Sequence, residues 1–124
     1  MVITDVDVYT IEPFIKKFSS NAPVVVMFYG ANCGPCKATM PNYETLANLH
    51  NENNISDIKF AKYHNWENDE HKQLSAKWEV SGVPGFRMFY KSKVIARREG
   101  GGDVQYLQSY LDSGLYIYNV LKGS

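Results

Sequence analysis

Val24-Val25-Val26-Met27-Phe28-Tyr29, then Gly30-Ala31-Asn32, then Cys33-Gly34-Pro35-Cys36-Lys37: the fold of this chain is decided by how this stretch is read. Val24 to Tyr29 is short, β-branched and continuously apolar, the pattern of a central strand buried on both faces. Gly30 to Cys36 reads as a turn, and Met40, Tyr43, Leu46, Ala47 and Leu49 continue as a helix. Pro41 inside that helix predicts a kink. A strand–turn–helix unit of this kind sets Cys33 and Cys36 at a helix N-terminus. Two intervening residues there let both sulfurs reach disulfide distance. The first turn offers free N–H groups and a partial positive charge, so a thiolate at Cys33 is stabilised and its pKa falls. Pro35 suits the first turn, where its missing N–H orphans nothing. Cys33 is expected near the cap and exposed, Cys36 deeper.

Working outward, Val2 to Val8 alternates and reads as a half-exposed edge strand. Thr10 is placed to cap a helix carrying Pro13 in its first turn and Ile11, Phe14, Ile15 and Phe18 on one face. Asn51 to Asp57 is a polar loop, Ile58 to His64 a strand, and Glu67 to Trp78 a helix. Gly82-Val83-Pro84-Gly85 is a turn. Phe86 to Tyr90 and Val94 to Arg98 form an antiparallel pair, and Asp103 caps a last helix with Val104, Leu107, Tyr110 and Leu111. The order β-α-β-α-β-α-β-β-α predicts an α/β sandwich whose mixed sheet has parallel strands first and an antiparallel edge after.

The chain has 124 residues, with 13 Lys+Arg against 13 Asp+Glu and so zero net charge. That is one domain, 1–124. The absent basic excess argues against a general nucleic-acid binder. Hydrophobic residues at 44% and charged residues at 21% argue against disorder. The longest apolar run, Val24 to Tyr29, falls far short of the roughly 18–20 residues of a membrane span. Met1 to Glu12 carries Asp5, Asp7 and Glu12 and no basic segment, so no secretory leader is expected and the cytosol is the expected compartment. A cysteine pair there is catalytic, redox or metal-binding rather than structural.

The chain resembles the thioredoxin family over roughly Ile11 to Leu111. The family pattern, a strand ending Phe-Trp-Ala, two residues, then Cys-Gly-Pro-Cys-Lys, is met by Phe28 to Lys37. The helix-kinking proline is matched by Pro41, the Gly-Ile-Pro turn with its cis-proline by Gly82-Val83-Pro84, the glycine beyond the hairpin by Gly100, and the strand lysine by Lys62 after Ala61. The resemblance implies a thioredoxin fold, with a central mixed five-stranded sheet flanked by about four helices. It implies a protein-disulfide reductase without cofactor or metal: Cys33 attacks a target disulfide and Cys36 resolves the mixed disulfide. Gly34, Pro35, Lys37, Met27 and Lys62 tune that site, and Asn32, Val83, Pro84 and Gly100 line the substrate groove. Disulfide-containing proteins are the expected targets, a thioredoxin reductase the electron donor, and a monomer the expected state. The Gly-Pro filling resembles reducing members, whose general value is about −270 mV. Isomerase-like members usually carry a histidine there.

Departures from the pattern carry expectations of their own. The family's buried aspartate beneath the second cysteine is Met27 here, which implies an apolar, more stable floor and slower resolution by Cys36. Lys62 thereby loses its usual partner and is expected near Cys36, raising its thiolate fraction. The tryptophan before the first cysteine is Asn32, removing a flat apolar wall, and the threonine after the cis-proline is Gly85. Arg87 stands where the hairpin is usually apolar, either paired with an acid or snorkelling outward. The segments around Asn48–Asp57 and His64–Asp69 are longer than typical. Residues 113–124 form a C-terminal extension, expected to continue the last helix and pack on the domain, with a sticky partner-binding strip as the other reading.

Alternatives stand beside each of these. The cysteines could be half a zinc site with His50, His64 or His71, though the usual histidine spacing is absent. A purely structural disulfide would close almost no loop. Asn32, Tyr29 and Tyr63 are either substrate contacts at the rim or partly exposed polar residues. Trp66 and Trp78 read as packing, and neither lies beside the cysteines in sequence. Two rival functions remain: an isomerase or oxidase of the same fold, and a binding module in which the cysteines are dispensable.

Overall fold

Among the described residues, five strands and four α-helices follow one another as β1 (Ile3–Val6), α1 (Ile11–Phe18), β2 (Val24–Tyr29), α2 (Gly34–Glu52), β3 (Lys59–His64), α3 (Asp69–Ser75), a 3-10 turn (Ala76–Trp78), β4 (Gly85–Tyr90), β5 (Lys93–Glu99) and α4 (Val104–Lys122). The structure, a computed structural model, describes residues 2–123; the two ends of the expected domain, Met1 and Ser124, lie outside them. The strands lie in the order β1-β3-β2-β4-β5. β1, β3 and β2 are parallel, while β4 and β5 run antiparallel. This is the mixed five-stranded sheet with four helices that the alternation predicts.

β2 is the central strand, and its alternation divides the core. Val25 and Met27 face a layer with Cys33, Cys36, Tyr43, Leu46 and Leu107, supplied by α2 and α4. Val24, Val26 and Phe28 face a second layer with Ile11, Ile15, Tyr63 and Phe89. Both faces are covered, which is why the strand reads as an unbroken apolar run. The Cα register pairs Met27 with Lys62 and Tyr29 with His64 across β2 and β3. The β4–β5 hairpin turns on Lys91 (φ 52°) and Ser92 (φ 65°). Two consecutive left-handed residues suit the right-handed twist of the flanking strands.

Helix boundaries differ from expectation where a side chain outcompetes the periodic pattern. Thr10 precedes α1 but makes no capping bond to it. Its Oγ1 accepts instead from the Asp7 N–H, and Asp7 Oδ1 accepts from the N–H groups of Tyr9 and Thr10. α3 begins at Asp69 rather than Glu67, because the Asn68 side chain accepts the His71 N–H. α2 extends to Glu52, two residues into the expected loop, and leaves Leu49 exposed. Pro41 lies inside that continuous helix and returns no N–H to the Lys37 carbonyl. Asp103 caps α4 as expected, accepting from the Tyr106 N–H at 2.9 Å.

α4 runs unbroken through residues 113–122, so the C-terminal extension continues the last helix. Tyr118 is buried there, stacked edge-on against Tyr90 with its hydroxyl donating to the Asn21 carbonyl. Arg87 does not snorkel: it is fully buried, paired with Glu99 at 2.6 Å.

Candidate redox site

Cys33 is the N-cap of α2, with extended backbone (φ −104°, ψ 110°). Its sulfur is bonded to that of Cys36 across a Cα–Cα separation of 5.2 Å. The Cys36 N–H points at the Cys33 sulfur, 3.2 Å away. The cap that Ser or Asp usually supplies is thus a sulfur, and a thiolate there would accept that N–H while facing the positive end of the helix. Pro35 lies in the first turn, where no hydrogen bond is lost. Cys36 is the deeper of the two, but Cys33 is only 5% exposed against 2%, not open as expected. The cis turn covers it: Val83–Pro84 is a cis peptide, and the Val83 carbonyl oxygen lies 3.8 Å from the Cys33 sulfur. Gly34, Pro35, Lys37 and Asn32 are exposed around this point.

Gly100 is tied to the cis turn. Its N–H donates to the Pro84 carbonyl at 2.9 Å, and its φ of 84° favours glycine. Its neighbour Gly101 is packed closely as well. A Cβ at Gly101 would overlap Oγ1 of Thr39, a buried residue of α2, and crowd the Pro84 ring. Thr39 Oγ1 also accepts the Gly102 N–H at 3.3 Å. A glycine following the hairpin and a polar residue one turn past Cys36 were the available signals.

Beneath the disulfide, Met27 is fully buried in the apolar layer that holds Cys36. Lys62 lies opposite Met27 on β3, but its ammonium is not left without a partner: it pairs with Asp5 on β1 at 3.7 Å. β1 pairs Asp5 directly with Lys62, so the edge strand supplies an acid that the strand's own sequence could not announce.

The loop leading into Cys33 rests on the turn after β3. Tyr29 stacks on His64, rings 5.1 Å apart and 10° from parallel. Burial raises the Tyr29 phenol pKa, and the charges of Asp5 and Glu67 add to the effect. Tyr63 is not at the rim: it is fully buried on the opposite face, donating to the His71 carbonyl at 2.9 Å. Trp66 is distant from the cysteines in sequence, yet its ring lies on Gly30, where a Cβ would overlap it. The sequence marks His64 only as a possible zinc ligand and Trp66 as packing, and only the added length at His64–Asp69 points to the contacts both make with the loop into Cys33.

Fold and site together define a thioredoxin-fold protein with a cysteine pair closed as a disulfide at a helix N-terminus. The thioredoxin family model matches residues 5–113. Over 110 residues the chain is 32% identical to a probable protein disulfide-isomerase A6 of Medicago sativa, covering 88% of this chain and 29% of that one. It is 32% identical over 98 residues to chloroplastic thioredoxin F-type of Spinacia oleracea, covering 79% and 47%. The short form of spinach chloroplast thioredoxin f superposes with a TM-score of 0.74 at 29% identity, covering 89% of this chain and 91% of that one. Thioredoxin f2, solved in complex with ferredoxin:thioredoxin reductase, gives 0.76 at 26% identity, covering 90% and 93%. The chain belongs to the thioredoxin family. It spans less than half the length of these curated relatives.

Proposed function

We propose that this chain is a protein-disulfide reductase working by thiol–disulfide exchange. The observation that carries the reading is the Cys33 sulfur, capping α2 beside the cis Val83–Pro84 turn. In the reduced chain the Cys33 thiolate attacks one sulfur of a target disulfide, and the other target sulfur leaves as a thiolate. Cys36, as thiolate, then attacks the Cys33 sulfur and expels the target's second thiolate. Two electrons pass to the target, and Cys33–Cys36 is left as the disulfide seen here. Helix-dipole stabilisation of the Cys33 thiolate and the buried position of Cys36 support these roles.

Disulfide-containing proteins are the substrates in this reading, and a reductase restores the dithiol. A structural relative was solved with ferredoxin:thioredoxin reductase, which supports a reductase of some kind as the donor. Lys37, Gly34, Pro35, Met27 and Lys62 are read as tuning residues, and Asn32, Val83, Pro84 and Gly100 as groove residues. The reading includes a monomer in the cytosol, the compartment being the one in which a lone cysteine pair serves redox chemistry rather than a scaffold. The second reading, a disulfide isomerase, is favoured by curated relatives such as protein disulfide-isomerase 1 of Dictyostelium discoideum, 33% identical over 101 residues. Equilibration of Cys33–Cys36 against glutathione separates the two. A value near about −270 mV supports the reductase, and one above about −200 mV moves the chain to the isomerase or oxidase. A Cys33→Ser, Cys36→Ser variant that keeps full biological function would overturn both in favour of a binding module.

A further inference from the structure

Three consecutive residues after Tyr63 each engage one residue of the segment Tyr29–Ala31, the end of β2 and the start of the loop into Cys33. The Ala31 N–H donates to Nε2 of His64 at 3.2 Å. The Asn65 N–H donates to the Tyr29 carbonyl at 2.8 Å. The Trp66 ring covers Gly30. Of these contacts, only the first depends on a titratable group. For Nε2 to accept, it must carry no proton, and the imidazole proton then sits on Nδ1. Nδ1 faces Glu67, whose Oε1 is 3.7 Å away, while Glu67 Oε2 lies 3.2 Å from Nε2 of His71 on α3. The other groups around the ring are the stacked Tyr29 on β2 and, two residues back on the same sheet face, Lys62 of β3 with Asp5 of β1. The His64 side chain is 26% exposed, so solvent protons reach it.

We propose that His64 is a positioning residue for the dithiol: unprotonated at Nε2 it holds Ala31, two residues before Cys33, and protonated it releases the loop. Protonation sets an N–H against the Ala31 N–H, and the bond between them is lost. Glu67 then holds the imidazolium away from the loop. Ala31 and Asn32 are both exposed, so the backbone they form depends on this bond to set the Cys33 sulfur over the first turn of α2. A nucleophile displaced from the N–H groups that stabilise its thiolate reacts more slowly. The inference concerns the exchange reaction proposed above, but its test needs no protein substrate.

The test uses the reduced full-length chain. The observed rate of Cys33 alkylation by iodoacetamide, uncorrected for ionisation and taken as a ratio between proteins at each pH, is followed from about pH 5 to about pH 8.5. The Ala31 amide resonance is followed over the same range. Wild type is compared with His64→Gln, which keeps a neutral acceptor at similar reach, and with His64→Ala. Expected at the alkaline end are equal rates for wild type and His64→Gln, with His64→Ala about threefold to tenfold slower, the loss of one hydrogen bond. On acidification the wild type falls behind His64→Gln by a similar factor, and the Ala31 amide shifts over the same interval in wild type alone. A wild-type to His64→Gln ratio that stays flat overturns the proposal, whether or not the Ala31 amide titrates. If His64→Ala does not fold, the wild-type and His64→Gln comparison decides alone. A chain that shows the step but reduces no protein disulfide retains the His64 assignment and loses the functional reading.

Discussion

Arg87→Met is expected to destabilise the protein by about 3 kcal/mol, three hydrogen bonds from a buried guanidinium at about 1 kcal/mol each. The Arg87 Nε donates to the Trp78 carbonyl at 2.9 Å, Nη1 to the Phe86 carbonyl at 2.8 Å, and Nη2 to the Glu79 carbonyl at 3.0 Å. Methionine refills the apolar volume of the stem but satisfies none of these acceptors. The fourth partner, Glu99, contributes less: its side chain is 55% exposed and also contacts Arg97, so water and a second cation compensate it. Two of these carbonyls, of Trp78 and Glu79, belong to the turn (Glu79 φ 61°) that leads from the 3-10 helix towards the cis Val83–Pro84 peptide, so the loss should also loosen that turn. Urea unfolding of the oxidised protein, with an unchanged m-value, measures the difference. At about 4 °C per kcal/mol for a chain of this size, the melting temperature should fall by about 12 °C. An Arg87→Met variant within about 1 kcal/mol of wild type would refute the reasoning, because the carbonyls would then be finding water and the arginine would be filler.

Gly30→Ala should destabilise the chain by about 1–3 kcal/mol because its Cβ overlaps the Trp66 ring, and by much less in a Trp66→Ala background; additive costs in that double-mutant cycle would contradict the packing. Burial, with the charges of Asp7, Glu70 and Glu67, pushes the Tyr63 phenol up to about 12. A pKa raised in the folded state lends stability that is complete below the unfolded value of about 10 and is lost as pH climbs through the folded one. Tyr63→Phe should therefore lose stability at neutral pH, through the His71 carbonyl, yet decline less steeply above about pH 10; parallel curves in urea titrations would count against this. Truncation after Gly114 removes Tyr118 with its ring contact to Tyr90 and its bond to the Asn21 carbonyl, and should lower the melting temperature; an unchanged value on thermal scanning would leave the extension no packing role.

Much of the site was legible because its chemistry is local. Cys33-Gly34-Pro35-Cys36 after a buried strand implies a helix N-terminus and a closable disulfide with no help from the rest of the chain. Pro84 and Gly100 were found from the family pattern; the Val83–Pro84 peptide is cis, and the Gly100 N–H donates to the Pro84 carbonyl. The misses share one cause. Tyr63 was read as a rim residue and His64 as a strand end, but the β2–β3 register sends Tyr63 to the face of Phe28 and sets His64 against Tyr29. A shift of one residue would exchange those faces, and nothing within β3 states the register. Lys62 was read against Cys36 for want of a partner, while its acid sits on an edge strand more than fifty residues earlier.

By itself, then, the sequence determined the α/β order, the central strand and the redox motif, because helix periodicity, strand alternation and a four-residue turn are set by neighbours along the chain. Only the tertiary structure decided what surrounds the sulfurs. The Val83 carbonyl reaches Cys33 across 50 residues and His64 reaches Ala31 across 33. Contacts of that range exist only after parallel strands have paired and their crossovers have packed, so no local pattern encodes them.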